Sequence, residues 1–349
     1  MITVGNRPLF YDLAPQELHD TLLEWGEPSF RWRQVWQGVY QRLAKSPHEL
    51  TDLPTRLRER LDQAIVFASI SVRAITRSKD GGTEKLLLAL PDGQAIEAVL
   101  MRYRRRTTAC ISTQAGCAMG CVFCATGQMG FRRHLTAGEI VEQVLLFARQ
   151  LARQGQRLTN VVVMGMGEPF HNYEATLEAI DRLNDPEGFH FGARRFTIST
   201  VGLVPMIERF TRERRHVNLA ISLHAADDEL RSQLLPINRR YPLEQLLRAC
   251  RQYVQVSGRR LSFEWALIQD VNDTPQQAEA LSGLLTGLNC HVNLIQLNPT
   301  RRYSGQASPR ERAAAFRQVL ERHGIGCTIR LRRGIDIQAG CGQLATESG

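Results

Sequence analysis

The chain lacks any uninterrupted apolar run long enough to span a bilayer. It also lacks, across Met1–Asp12, the charged-then-apolar pattern of a secretory leader. Together these absences predict a cytoplasmic protein with no membrane partner. Cysteine is sparse, at eight in 349 residues, which excludes a disulfide scaffold of the kind that staples small secreted domains. No internal repeat and no low-complexity tail is visible, so a solenoid is excluded. Acidic residues are in deficit: 35 Asp and Glu stand against 44 Lys and Arg, a formal net charge of +9. The basic side is mostly Arg, which binds phosphate with two parallel hydrogen bonds and stacks on bases. A polyanionic partner is therefore expected.

Length and composition allow one full core plus a small accessory unit. Over residues 1–75 the texture is helical, with Leu18, Leu22 and Leu23 at helical spacing. Trp32, Val35, Trp36, Val39 and Tyr40 repeat that spacing, and Leu53-Pro54 stops the chain before a helix through Leu57 and Leu61. The two Trp residues read as core. From residue 76 to 349 strands alternate with helices, opening with a hairpin of Lys85–Leu90 and Ala95–Arg102 about Pro91-Asp92-Gly93. Thr136–Gln154 reads as a long amphipathic helix, with Thr136 and Glu139 spaced as a capping box. Strand patterns follow at Asn160–Met164, Arg195–Ser199, Asn218–Leu223, Leu261–Leu267, Val292–Gln296 and Cys327–Leu331. Helical patterns fit between them. This predicts an α/β fold, a partial (β/α)6 barrel behind a small all-helical N-terminal domain, with chemistry on the loops after the strands.

Four cysteines crowd into 15 residues: Cys110, Cys117, Cys121 and Cys124. A structural zinc site wants paired C-x2-C knuckles and four ligands. Here Cys117, Cys121 and Cys124 have no second knuckle. Three thiolates on a cuboidal iron–sulfur cluster leave one iron free to bind a small molecule. Cys250, Cys290 and Cys327 lie in apolar, periodic surroundings and read as core. Cys341 differs, because it is flanked by Gly340 and Gly342, which permit close backbone approach.

Cys117-x3-Cys121-x2-Cys124 after a strand resembles the radical S-adenosylmethionine (SAM) motif. Further stretches extend the resemblance: Cys110–Cys117, Met164-Gly-Met-Gly-Glu168-Pro169, Ser222-Leu-His224, Leu235–Pro242, Val271-Asn-Asp273 and Gly334–Leu344. With Phe30–Trp36 and Thr51–Pro54, nearly the whole chain resembles the RlmN/Cfr family of radical SAM enzymes that methylate adenosine in 23S ribosomal RNA. The Gly-Glu-Pro turn and the helical N-terminal segment are closer to RlmN, which acts at C2, than to Cfr, which acts at C8. Phe170-His171 and His134 depart from the usual RlmN residues, leaving transfer RNA as a further substrate open.

The resemblance implies a [4Fe-4S] cluster on Cys117, Cys121 and Cys124, two SAM molecules per turnover and an external one-electron reductant. It implies a monomer whose N-terminal domain binds RNA. Cys341 carries the methyl group, Cys110 resolves the RNA adduct through a disulfide with Cys341, and Glu97 is the general base. On pattern alone Glu97 reads as an exposed strand residue. The resemblance further implies that Gly167 and Glu168 receive the amino group of SAM, with Ser199, Ser222, Leu223, His224 and Asn298 at other SAM-contacting positions. Arg102, Arg104, Arg105, Arg106, Arg132, Arg133, Arg239, Arg240, Arg301, Arg302, Arg332 and Arg333 are the expected phosphate contacts. A radical SAM activase acting on protein and an RNA-binding protein with a structural cluster are the alternatives. The Cys110 and Cys341 pair speaks against the first, and an open three-cysteine site against the second.

Overall fold

A computed structural model describes residues 3–4 and 7–346. Three helices open it, Pro15–Glu24, Arg31–Tyr40 and Thr55–Ala64. Their apolar stripes bury Leu18, Leu22, Val35, Trp36, Val39, Leu57 and Leu61, while Leu23 faces solvent at 45% exposure. Phe10 stacks on Phe67 with centroids 4.7 Å apart and leans on Trp36, closing this unit around aromatic contacts.

One ten-stranded sheet forms the body. In chain order its strands are β1 (Ser71–Arg77), β2 (Thr83–Ala89), β3 (Ala95–Tyr103), β4 (Arg106–Cys110) and β5 (Asn160–Val163). Then come β6 (Phe196–Thr200), β7 (Asn218–Ser222), β8 (Leu261–Leu267), β9 (Cys290–Gln296) and β10 (Gly326–Ile329). Strands β1 to β4 pair antiparallel in sequence, and from β4 onward each strand pairs parallel with the next. The fold is thus α/β with a helical N-terminal region and a run of parallel strands, as expected. Seven strands run parallel rather than six, because β4, just before the cysteine cluster, is the first of them.

The alternating texture begins earlier than residue 76. β1 starts at Ser71 and pairs with β2, so a cut at residue 75 falls inside a strand. All seven β1 residues are exposed; an edge strand with no buried face carries no alternating pattern for the eye to catch.

The helical unit is bolted to the body by buried polar contacts. Helix Ala137–Ala152 carries the Thr136–Glu139 capping box and a buried apolar face. Its Arg149 donates to the carbonyls of Leu43 and Ala44 and to the Tyr11 hydroxyl. From helix Tyr173–Asn184, Arg182 donates to the carbonyls of Tyr11 and Leu13. Trp36 Nε1 donates to the Asp185 carboxylate at 2.7 Å. Among the described residues no helix is long and apolar enough to cross a membrane.

Candidate active site

The parallel strands all point their C-terminal ends the same way, and the motif residues sit there. Cys110 ends β4, Glu168 follows β5, Ser199 is next to last in β6, Ser222 ends β7 with Leu223 and His224 just after it, and Asn298 follows β9. The antiparallel register of β3 on β4 sets Val99 opposite Cys110, which carries Glu97 to the level of Ser112. The Ser112 hydroxyl donates to the Glu97 carbonyl at 2.6 Å. Glu97 is 4% exposed, correcting its reading as an exposed residue. It alternates onto the face of β3 that the C-terminal segment covers, so the strand period was right but its outer face was not free. Lys85 reaches across from β2 to within 2.7 Å of Oε1, and Oε2 accepts from the Ala345 amide at 3.0 Å.

The cysteine loop leaves a two-stranded ribbon, Gln114–Gly116 with Phe131–His134. Gly116 has φ 76°, and a Cβ there would lie 1.9 Å from the Gly130 carbonyl, so only glycine lets the ribbon close at the loop's base. Cys117 and Cys121 are buried and Cys124 is half-buried. Burial lifts the Cys117 thiol to about 12 and Cys121 well above its ordinary range; neighbouring cysteine sulfurs and Glu168 add to both. Thiols that raise one another this way are near neighbours, and an electropositive metal centre relieves the cost of ionising them together. Among the described residues no three Cys, His, Asp or Glu side chains converge tightly enough for one metal ion. A cuboidal cluster sets each thiolate on a different iron, so its ligands stand wider apart than those of a single ion. The donor set fits such a cluster.

Glu168 is 2% exposed. Its carboxylate accepts from the amides of Phe170 and Val201, both at 2.9 Å. Burial nevertheless raises it to about 7. A desolvated carboxylate on the cluster side of the barrel is a fitting partner for an ammonium group. Gly167 has φ 101°, with Gln114 only 2.6 Å from where a Cβ would stand, so glycine is required for this turn. The Gln114 side chain then organises the ribbon: its oxygen accepts from the Glu168 amide at 2.9 Å. Its Nε2 lies 3.0 Å from His134 Nδ1 and 3.1 Å from His171 Nδ1. The two departures from the RlmN pattern thus meet on one residue that touches Glu168.

His224 is held at φ 62°, an uncommon backbone for a non-glycine residue. Asn272 steadies it by donating to its carbonyl at 2.8 Å. The Ala266 amide donates to His224 Nδ1 at 2.9 Å. A backbone N–H can only donate, so Nδ1 is bare and Nε2 carries the proton. Burial and then Arg231 lower this imidazole to about 3, so it stays neutral and offers one N–H. Its ring packs edge-on against Phe123 of the cysteine loop, centroids 5.0 Å apart. The Ser199 and Ser222 hydroxyls lie 3.4 Å apart. Leu223 is fully buried and contributes backbone rather than side chain.

The C-terminal segment brings Cys341 to the same end. Ala125 donates to the Gly342 carbonyl at 2.7 Å, the Thr126 hydroxyl to the Leu344 carbonyl at 2.6 Å, and Asn298 Nδ2 to the Cys341 carbonyl at 3.1 Å. Cys341 is exposed, yet surrounding protein raises its thiol; Arg330 opposes the rise, while Glu264 and Cys124 add to it. Cys110 is buried and pushed up to about 12, with Cys341 the next contributor after burial. Both are free thiols; the disulfide that the resemblance implies is not formed. Glu264, 5% exposed, leaves Oε2 without a hydrogen bond beside this group.

Sequence reasoning missed Lys85, Gln114 and Arg231. Arg231 is 0% exposed and donates to the carbonyls of Val201, Ser222 and Leu223 and to Asn238. It ties together the loops after β6 and β7. An arginine inside a short polar helix pattern carries no sign that it points inward.

This arrangement of open three-cysteine loop, parallel strand ends and buried Glu168 defines a radical SAM fold, and residues 111–276 match the model of the Radical SAM superfamily. Residues 10–67 match the Ribosomal RNA large subunit methyltransferase N-terminal domain. A probable dual-specificity RNA methyltransferase RlmN of Chloroflexus aurantiacus is 49% identical over 96% of this chain and 92% of its own. Dual-specificity RNA methyltransferase RlmN 1 of Myxococcus xanthus is 50% identical over 96% and 93%. The crystal structure of a radical SAM methyltransferase from Sphaerobacter thermophilus superposes with a TM-score of 0.94 at 50% identity, covering 96% of this chain and 98% of that one. The chain belongs to the RlmN family of radical SAM RNA methyltransferases.

Proposed function

We propose that this protein methylates C2 of adenosine in 23S ribosomal RNA, and in transfer RNA as well, with Cys341 as the methyl carrier. The observation that carries this reading is the pinning of Cys341 between the cysteine loop, Asn298 and the segment bonded to Glu97. An exposed thiol held there has no structural task. The relatives' names, dual-specificity RNA methyltransferases, support more than one RNA substrate, and the match of residues 10–67 to a ribosomal RNA large subunit methyltransferase domain supports the ribosomal one.

A [4Fe-4S] cluster on Cys117, Cys121 and Cys124 would supply, with an external reductant, the electron that splits SAM into a carbon radical. The residues of this chain do the rest. Glu168 receives the SAM ammonium, and the neutral His224 offers an N–H without adding repulsive charge to a sulfonium. Cys341 must lose its proton to accept the first methyl group by displacement; Arg330 and the incoming sulfonium both favour that loss. C2 of adenine is electron-poor, so it accepts a carbon radical where it would not attack a sulfonium. A hydrogen atom passes from the Cys341-bound methyl group to the carbon radical of the second SAM, and the methylene radical left on sulfur adds to C2. The adduct gives one electron back to the reductant, and Glu97 takes the ring proton. Cys110 then attacks the Cys341 sulfur, so that the bond from sulfur to the new methyl carbon breaks, the methylated base leaves and a disulfide forms.

The test is nucleoside mass spectrometry on ribosomal and transfer RNA treated with cluster-loaded protein, SAM and reductant. 2-Methyladenosine is expected from the intact protein and none from Cys341→Ala. 8-Methyladenosine would overturn the regiochemistry, and cleavage of SAM without methylated RNA would overturn the substrate.

A further inference from the structure

Twelve arginines were expected to contact phosphate, and three of them have other occupations. Arg133 is bound by Asp92 and Glu139, Arg302 by the Gln128 carbonyl, and Arg332 by Asn298 and the Leu297 carbonyl. Elsewhere Arg182, Arg209, Arg215 and Arg312 are paired with carboxylates. One group stands apart. Arg102 at the end of β3, Arg104 and Arg105 in the turn and Arg106 at the start of β4 line a cavity of about 270 Å³ with Arg157 from the loop entering β5. No carboxylate lines it, and among the described residues none of the five is ion-paired. Arg102 has only the Gln154 amide, at 3.5 Å. Tyr103 lies between Arg106 and Arg333, whose guanidiniums stand 4.4 and 4.5 Å from its ring centroid, so the ring fixes the cations without neutralising them.

Five guanidiniums around one concavity raise the local positive potential, which favours an anion there. Its location is informative. Arg106 begins β4 and Cys110 ends it, so the cavity opens about 13 Å from the catalytic end, at a rise of roughly 3.3 Å per residue. An anion there cannot be SAM or the reacting base.

We propose that this cavity is a second RNA site, gripping phosphodiester groups of the substrate backbone at the opposite end of the strands from the chemistry. The proposal rests on RNA being the substrate. It gives the enzyme two anchor points, so a structured RNA lies along the β1–β4 flank with its target adenosine at the far mouth. Guanidinium forks suit phosphate oxygens, and contacts of this kind position an RNA without reading its sequence.

The test is binding of a fluorescein-labelled RNA stem–loop with an unpaired adenosine, followed by anisotropy across a series of KCl concentrations. Two variants are compared with the parent: Arg104→Gln/Arg105→Gln/Arg157→Gln, and the same three positions changed to Lys. Each phosphate contact contributes about 0.7–0.9 to the slope of log affinity against log salt. The Gln variant is expected to lose about two units of slope and about tenfold in affinity at low salt, with SAM binding unchanged. The Lys variant is expected to keep the slope, because counterion release follows charge. An unchanged slope in the Gln variant overturns the site, and equal loss in the Lys variant overturns the phosphate assignment in favour of local packing. A parent protein that binds no RNA overturns this proposal and the RNA methyltransferase reading together.

Discussion

At the scale of single residues, Glu168 illustrates how burial can prepare a carboxylate for a charged ligand. Two amides hold it, yet desolvation dominates and lifts it from an ordinary 4.5 to about 7. For folding, a raised carboxylate contributes stability that is present below its unfolded value and lost as pH rises through 7. For binding the sign reverses, since an ammonium needs the ionised form. SAM affinity of the cluster-loaded protein is therefore expected to weaken about tenfold per pH unit below 7 and to level off above it. Calorimetric titration between pH 6 and 8.5 checks this, and Glu168→Gln should bind weakly with no pH dependence. A parent profile that is flat over this range would remove Glu168 from the ammonium site. Reading this residue from sequence depended on the resemblance, since a Gly-Glu-Pro turn by itself has a merely structural alternative. Glu97 depended on it still more: its burial comes from a segment some 250 positions away, which no local pattern records. Arg231 had neither a pattern nor a matching motif, because a cation satisfied by carbonyls of two loops is a property of the assembled barrel.

Among elements, regular packing made most of the sheet legible. The strands from Asn160 to Gln296 carry buried branched residues, and the helices between them show clear stripes. Legibility failed where burial is one-sided or absent. β1 is wholly exposed, and β4 begins in a run of arginines that reads as a charged loop. The C-terminal segment is neither helix nor sheet beyond a short turn at Ile335–Ile337, and its order comes from bonds to other elements. Thr126, on the short helix Ala125–Met129, is the hinge of that docking. Thr126→Val keeps the shape but leaves the Leu344 carbonyl unpaired, at a cost of about 1–2 kcal/mol. Local opening should rise about 5–30-fold. The Ala345 amide, bonded to Glu97, reports it by faster hydrogen exchange, with helix Ala137–Ala152 unaffected. Unchanged exchange at Ala345 would mean that the segment is held chiefly by Asn298 and Ala125.

At the scale of the molecule, the question is whether the helical N-terminal unit is an independent module or part of one cooperative structure. Its contacts with the body are the buried kind. Arg182, 7% exposed, donates to the Tyr11 and Leu13 carbonyls, while the neighbouring helix adds bonds from Arg149 to the Leu43 and Ala44 carbonyls and from the Gly138 amide to the Asp12 carboxylate. Arg182→Leu strands two buried carbonyls, each worth about 1–3 kcal/mol. At about 2–4 °C per kcal/mol, the melting temperature should fall by about 4–24 °C. Three of the four tryptophans, Trp25, Trp32 and Trp36, belong to the N-terminal unit and only Trp265 to the barrel, so fluorescence follows chiefly the former and far-ultraviolet dichroism chiefly the latter. With bonds of this kind at the junction, both signals should move together in the parent and in the variant. Fluorescence that melts ahead of the dichroism in Arg182→Leu would instead make the unit a separately folding module. Joint melting would tie the unit's orientation to the barrel, so that the two present one rigid surface.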